Sequence, residues 1–504
     1  MQLLLGEILD RNRRTHPTSV AVTLAEESLT FADVDDAANQ LANALASIGV
    51  GHGDNVAWWS EMTLREVAGF FALARLGATF APLNPRFSAD EARPVLEYVH
   101  PRVLVVDQAH ALAAAELCSE LDIALAVFGA DGAAVPGRDL DELASASQRV
   151  FSATPQLDEG DPHAIFLTSG STGAPKGVVL SHRTSWLRAT WMTHAQMLPD
   201  GRVGEGVCMF PLFHWAGWQN LLQSWQSHVP VHYCHGAQPE LLLGTVARRR
   251  ATVLYCIPGI WRRIFASGDL HRFDVRSLRQ VNTGTSAVSM ELLSELKSRF
   301  PGTTTGIGYG STEGGAGAHL HDADLFTKPG SVGRPNPFQH MRLTDDGEIC
   351  VRSTALADGY FERPEATAET FIDGWYHTGD RGSFDEDGYL WIIGRTRELI
   401  RSGAEWIAPV EVEEALRGIP GIKDLAVVGL PDDQWGELVS AVLVLDEGVA
   451  CPRPEDLRRH LTGLASYKHP RHVVALDAIP RTPATGQVRR AFLREHLVER
   501  LGDA

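Results

Sequence analysis

Lysine is scarce in this chain of 504 residues: of 45 basic side chains, five are lysine (Lys176, Lys297, Lys328, Lys423 and Lys468). Basic charge is short altogether, with 63 acidic residues and a formal net charge of −18. That balance excludes a general nucleic-acid binder, which needs a basic face, and leaves room for a local basic site that holds a nucleotide. Cysteine is also sparse: six residues, scattered, with no C-x-x-C pair. A disulfide scaffold and a thiolate zinc site are thereby excluded, and reduced thiols in a cytosolic protein fit. Long apolar runs are missing as well. The opening "MQLLLGEILDRNRR" is interrupted by Glu7 and Asp10, so it does not read as a signal peptide. "VAGFFALARLGATFAPLN" is broken by Arg75, Gly77 and Pro82, and reads as a buried helix rather than a membrane span. The expectation is a soluble, cytoplasmic protein.

What is present is an α/β texture. Hydrophobic residues make up 44% of a chain too long for one ordinary core, so at least two domains are expected. Through the first 300 or so residues, helical periodicity alternates with short β-branched runs, which predicts layered α/β structure with mostly parallel sheets. "LTFADVDDAANQLANALASIGV" ends its helix at Gly49; "DNVAWWS" and "RVLVVD" read as buried strands. From about Lys328 the texture changes to short alternating strands, with Asp-Gly turns at 346–347, 373–374 and 387–388. This predicts an antiparallel, barrel-like subdomain over about 328–395. A smaller α+β unit follows, carrying "APVEVEEALRGI", "DLAVVGL", "LVSAVLVL" and "RPEDLRRHLTGL".

Glycines and hydroxyls crowd before a lysine in "LTSGSTGAPKGV", residues 167–178. Backbone N–H groups of such a turn form an anion nest, and small side chains let phosphate oxygens approach. The spacing is not that of a Walker A loop. Further along come "PLFHWAG" (211–217), "YGSTE" (309–313), "GEICVRS" (347–353), "GWYHTGD" (374–380) and "GRTRELIRSGAEWIAPVEVE" (394–413). In this order and over essentially the whole chain, the set resembles the adenylate-forming superfamily of acyl-CoA synthetases, luciferases and peptide-synthetase adenylation domains.

The resemblance implies ATP-dependent activation of a carboxylic acid to acyl-AMP and transfer to coenzyme A. It implies an AMP-binding domain over 1–396 and a mobile domain over 397–504, hinged at Arg397. Thr168, Ser169, Gly170, Ser171, Thr172 and Gly173 would cradle the β- and γ-phosphates beside Lys176. Tyr309 would stack on adenine, with Gly310 and Ser311 alongside. Thr312 would bond the α-phosphate or the acyl oxygen, and Glu313 would help to hold Mg²⁺, which takes oxygen ligands. Asp380 would accept the ribose hydroxyls with Arg395 assisting, and Gly284, Thr285 and Ser286 would line the nucleotide. His214 would stand at the acyl gate. Gly403, in the loop Ser402-Gly403-Ala404, would reach the site when the small domain turns. The acid pocket is expected to be walled by Trp215, Trp218, Trp225, "YCIPG" (255–259) and "GGAGA" (314–318). The "HVPVHYCH" histidines and cysteine read as structure rather than metal ligands.

One position departs from the pattern. "PRTPATGQVRR" (480–490) places Gln487 where the family carries a lysine that bridges carboxylate and α-phosphate. Three accounts fit: adenylation is slowed or takes Arg489 or another cation in the lysine's place; a deliberate substitution holds the chain in one state; or the reaction differs from ordinary acyl activation. A fatty or similar apolar acid is the favoured substrate. The rivals are an aryl acid or nitrite activated for transfer to an amine, and a nucleotide-binding pseudo-ligase. A small-molecule acid is the partner expected; a homodimer is one option for assembly.

Overall fold

The computed structural model describes residues 2–130, 134–151, 155–168, 176–193, 197–198, 200–402, 405–432, 435–482 and 486–502. Its first sheet is mostly parallel. Asn55–Trp59 lies between Thr79–Pro82 and Val103–Asp107, with Ala124–Phe128 beyond. On the other flank Pro162–Thr168 runs parallel to Thr79–Pro82 and antiparallel to Lys176–Ser181, which pairs with Gly359–Tyr360. The period of two divides neighbours between faces: Trp58 enters the main core, Trp59 the smaller core on the opposite face. Against Trp58 packs the helix Leu64–Leu76, capped by Thr63 at one end and by left-handed Gly77 at the other. Gly69 permits that contact, since a Cβ there would lie 2.5 Å from the Trp58 ring. The apolar run 67–84, read from the sequence as one buried helix, is a buried helix only as far as Leu76 and continues after Gly77 as the buried strand Thr79–Pro82. Among the described residues no helix is long and apolar enough to cross a membrane.

The second sheet changes character along its length. Val253–Tyr255, Gln280–Gly284 and Ile307–Ser311 are parallel. From Ile307–Ser311 onward the order is antiparallel, through Gly315–Leu320, Ser331–Pro335, Leu390–Arg395, Trp375–Phe384 and Glu348–Ser353 to Gln339–Leu343. The strands after Lys328 therefore extend this sheet through Ser331–Pro335. Gly347, Gly374 and Gly388, the glycines of the three Asp-Gly pairs, all sit at φ between 77° and 85°. A third sheet is built from Ile400–Ser402, Glu405–Ile407, Ile422–Asp432, Gly436–Leu445 and His472–Ala475. Its alternating residues fill two small cores, Val427 and Ala441 on one side, Ala426 and Val442 on the other.

Two histidines are enclosed where the first sheet meets the helix His182–Thr193. His163 Nε2 pairs with Ser185 Oγ at 2.6 Å, and His182 Nδ1 accepts the Leu5 N–H at 3.3 Å. Burial pushes the His182 pKa down to about 4 and that of His163 well below its ordinary value. In the unfolded chain a histidine titrates near 6.5. Between those limits the unfolded chain binds protons that the folded chain refuses. Stability is therefore full above about pH 6.5 and falls as pH drops toward 4. Buried Glu66, whose pKa is raised, acts in the opposite sense over part of the window. Urea midpoints measured from pH 7.5 to 4.5 are expected to decline, and His182→Gln to reduce the slope by about one proton's worth.

Candidate active site

The site forms where the second sheet turns from parallel to antiparallel. Thr168 and Lys176 face each other as the last pair of their hairpin, Thr168 Oγ1 donating to the Lys176 carbonyl at 3.3 Å. Ser169, Gly170, Ser171, Thr172 and Gly173 lie outside the described residues, as does Gly403. The Lys176 ammonium stands 4.7 Å from the Tyr360 ring centre, and the Tyr360 hydroxyl donates to Glu313 Oε1 at 3.0 Å. Tyr360 is brought there by strand pairing with Val178. Lysine, tyrosine and glutamate thus form one cluster on the wall of a cleft of about 2390 Å³.

Arg188 fixes the segment that carries Glu313. Its guanidinium is 2% exposed and donates from Nη1 to the Thr312 carbonyl, from Nη2 to that of Glu313 and from Nε to that of Ala355, at 2.8, 2.8 and 2.9 Å. Burial lowers its pKa to about 10, which leaves it charged at neutral pH. Ser311 Oγ accepts the Gly314 N–H at 2.9 Å and donates to the Tyr376 hydroxyl at 3.3 Å. The turn 309–314 is therefore held from both sides.

Asp380 and Arg395 are cross-strand partners with Nε to Oδ1 at 3.3 Å, and the Tyr309 hydroxyl donates to Asp380 Oδ2 at 2.6 Å. Burial raises the Asp380 pKa, with Arg395 and Tyr309 pulling the other way. The turn before Asp380 is pinned by Glu348. Its Oε1 accepts the Gly379 N–H at 2.8 Å, and its Oε2 pairs with His377 Nδ1 at 2.9 Å, beside Cys350 Sγ.

Gln487 reaches across from the small domain, its Nε2 donating to the Thr285 carbonyl at 3.1 Å. Thr285 has a φ of 69° and its hydroxyl pairs with that of Tyr255 at 3.0 Å. Gly284 is needed beside it, because a Cβ there would fall 2.4 Å from the Gly308 oxygen. Arg397 and Arg489 line the same cleft, Arg489 with its guanidinium 4.9 Å from the Phe492 ring centre. Lys468 is engaged elsewhere, on Glu411 Oε2 at 2.6 Å.

His214 caps the helix Trp215–Trp225, its Nδ1 accepting the Ala216 N–H at 3.2 Å; burial lowers its pKa to about 4, so the ring is neutral. Thr168, Lys176, His214, Thr285, Asp380, Arg395, Arg397, Gln487 and the run Tyr309–Glu313 converge on the cleft. Gly284 is buried behind the wall and Ser286 is exposed; neither lines it.

Three expectations of the acid pocket need correction. Trp215 lines the cleft, but Trp218 and Trp225 are fully buried in the main core. Trp218 stacks on Phe70 with centroids 3.8 Å apart and donates to the Leu212 carbonyl. Trp225 stacks on Phe71 and donates to the Ala21 carbonyl. Helical spacing turns them from Trp215 onto the inner face. Of "YCIPG", Tyr255 alone reaches the cleft, and "GGAGA" contributes Gly315, Ala316 and Ala318. His232 pairs with Thr23 Oγ1 at 3.0 Å, and Cys234 with Thr245 Oγ1, both as packing partners.

Residues 9–361 match the AMP-binding enzyme family and residues 411–485 the AMP-binding enzyme C-terminal domain. The chain belongs to that family, the adenylate-forming superfamily, in its acyl-CoA synthetase branch. It is 33% identical over 505 residues to an indoleacetate–CoA ligase of Aromatoleum aromaticum, covering 97% of this chain and 98% of that protein. Among solved structures it is similar to the anthranilate CoA ligase AuaEII in complex with anthranoyl-AMP (TM-score 0.89, 26% identity, 100% and 98% of the two chains). It is similar also to ATP-bound MatB from Rhodopseudomonas palustris (TM-score 0.88, 27% identity, 99% of each chain), and less so to apo MatB at 0.75 (26% identity, 99% of each chain). The chain is accordingly an acid–thiol ligase, an AMP-forming enzyme that uses ATP and coenzyme A.

Arg188→Met should strand three buried carbonyls, each costing about 1–3 kcal/mol when unpaired. A stability loss of about 3 kcal/mol or more in urea unfolding is expected, with weakened ATP affinity in calorimetry at a temperature where the variant stays folded.

Proposed function

We propose that this ligase adenylates an apolar, ring-bearing acid and passes the acyl group to coenzyme A, with the first step slowed by Gln487. The observation that supports the reading is a contact between the lobes: the Gln487 amide sits on the Thr285 carbonyl, on a cleft that Tyr309, Asp380 and Arg395 also line. By the resemblance this is the position of the family lysine, and the closer likeness to ATP-bound than to apo MatB supports an arrangement of the lobes that suits a bound nucleotide.

In this reading Thr168 and Lys176 flank the loop that cradles the phosphates, and Tyr309 supports the adenine. Asp380 exchanges the Tyr309 hydroxyl for the ribose hydroxyls, with Arg395 holding its charge. Thr312 donates to the α-phosphate as the acid oxygen attacks and pyrophosphate leaves. A carboxylate on the cleft wall is the donor a hard divalent ion takes, so Glu313 would hold Mg²⁺, whose charge offsets that of the phosphates. His214, neutral, separates nucleotide from acid without adding charge. For the thioester step the segment 397–504 turns about Arg397 and carries the Gly403 loop to the acyl carbonyl. Localisation in the cytoplasm fits the reduced thiols.

The acid chamber supports a ring over a long alkyl chain. Trp215 and Trp191 both line the cleft, and Trp191 is stacked on exposed Phe338 with centroids 4.8 Å apart and planes within 9°. Aromatic faces of this kind favour flat substrates, and a relative as similar as 33% is an indoleacetate–CoA ligase.

Pyrophosphate–ATP exchange and coenzyme A-dependent AMP release, run with arylacetic, arylpropenoic and alkanoic acids, test the proposal. Ring acids are expected to lead. Gln487→Lys should raise exchange by about 10²–10³, the usual worth of a preorganised donor at developing charge. AMP release indifferent to coenzyme A, or no gain from Gln487→Lys, would remove the respective parts.

A further inference from the structure

The outer face of the helix Trp215–Trp225 is unexpectedly polar for the wall of an apolar acid chamber. Gln219, Asn220 and Gln223 all line the cleft, at spacings that put them on one side of the helix. The opposite side buries Trp218, Leu221, Leu222 and Trp225. Two of the three amides are oriented by local bonds. Gln219 Oε1 accepts the Trp215 indole N–H at 2.9 Å, which leaves its NH₂ as a donor, and Asn220 Nδ2 donates to the Ala216 carbonyl at 2.8 Å.

Gln223 is different. The residue is 4% exposed, its Nε2 has a long contact of 3.5 Å to Asn220 Oδ1, and its Oε1 is shielded from solvent with no hydrogen-bond donor among the described residues. A buried amide oxygen without a donor is costly, and natural interiors supply a partner. The broad last torsion of glutamine lets this oxygen turn toward the chamber at little cost. An alkyl chain laid along this wall would leave all three amides against methylenes. A ligand carrying its own O–H or N–H would satisfy them.

We propose that Gln219, Asn220 and Gln223 form a distal subsite that reads a hydroxyl or amino substituent on the ring of the acid, a specificity that rests on the proposed chemistry. The helix rises about 1.5 Å per residue, so the subsite lies about 8–14 Å along its axis from His214. That is the reach of a short unsaturated arm plus one ring. With an acceptor at Gln223 and a donor at Gln219, the subsite suits a hydroxyl, which both donates and accepts.

The experiment compares 3-phenylpropenoic acid, its para-hydroxy derivative and octanoic acid, by coenzyme A-dependent AMP release. The same acids are titrated against the protein by tryptophan fluorescence, so that the ratio is read independently of turnover. The hydroxylated acid is expected to exceed the unsubstituted one by tenfold or more in kcat/KM and in affinity, since a site built for hydrogen bonds rejects the analogue that lacks them. Gln223→Leu combined with Asn220→Leu should erase or reverse that ratio while binding the unsubstituted acid at least as well. Because each ratio is internal to one protein, a general loss of folding does not imitate it, and Gln223→Glu should retain preference for a donor. Equal use of the two ring acids, preference for octanoic acid, or an unchanged ratio in the double variant would overturn the subsite while leaving acid activation intact. AMP release that ignores coenzyme A would instead count against the proposed chemistry alone, the binding ratio still deciding the subsite.

Discussion

The turn that carries Thr312 and Glu313 into the cleft is held by one buried cation. Arg188 satisfies three main-chain carbonyls from two distant segments, at Thr312, Glu313 and Ala355. A planar guanidinium is suited to this because its donors are fixed in a fork and its charge persists even when burial lowers the pKa to about 10. The bonds set the direction of Glu313, which in turn receives the Tyr360 hydroxyl beside Lys176. They also seat the turn that follows Tyr309, the partner of Asp380. Sheet geometry explains why such a clamp is needed here. At Ile307–Ser311 parallel pairing on one side gives way to antiparallel pairing on the other, with a register shift at Tyr309/Gly310. A strand end at such a change lacks continuous ladder support, and the arginine replaces it.

The electrostatics of the cleft are local rather than global. A chain of net charge −18 offers a polyphosphate no long-range attraction. The cations that matter are brought to the cleft one by one: Lys176 by a hairpin, Arg395 by a cross-strand pair, Arg397 by the segment after it, Arg489 by the small domain. Each acts over a few ångströms in a partly desolvated space, where charge counts for more than on the surface. Under the proposed function a neutral amide at Gln487 would be a deficit against that background, because it contributes a dipole where a lysine would contribute a full charge.

The outline of this machinery was legible because its residues lie in short, ordered stretches whose chemistry is local. Thr168 and Lys176 are eight residues apart and close one hairpin, and Asp380 and Arg395 sit on strands joined by the Asp-Gly turn at 387–388. The α/β alternation and the buried 64–76 helix were equally readable, since period and breaker residues are near-neighbour signals. Arg188 was not legible. Its partners are 124 to 167 residues away, and nothing in "SWLRATWM" marks the arginine as inward-facing. Glu348 stood inside a recognised stretch, yet its bond to the Gly379 N–H depends on strand register. Trp218 and Trp225 failed for another reason. A large apolar side chain three residues from a cleft residue on a helix is as ready to face the core as the ligand, and here stacking on Phe70 and Phe71 decided it.

The contact between Gln487 and Thr285 also bears on how firmly the lobes meet. An amide donating to a carbonyl is a neutral pair, worth about 1 kcal/mol net in water-accessible surroundings, whereas a charged donor contributes about twice that or more. Before an anionic ligand enters, a lysine facing a single carbonyl and other cations would gain less than its nominal share, because Arg397 and Arg489 line the same space. Once phosphate is present the order reverses, and the charged donor would bind the lobes together through the ligand while glutamine would not. Under the proposed turn about Arg397, the glutamine chain closes as readily as a lysine chain when empty and less firmly when loaded. Under the proposed function, glutamine at this position would penalise the step that needs the lobes clamped on ATP more than the step that needs them to part.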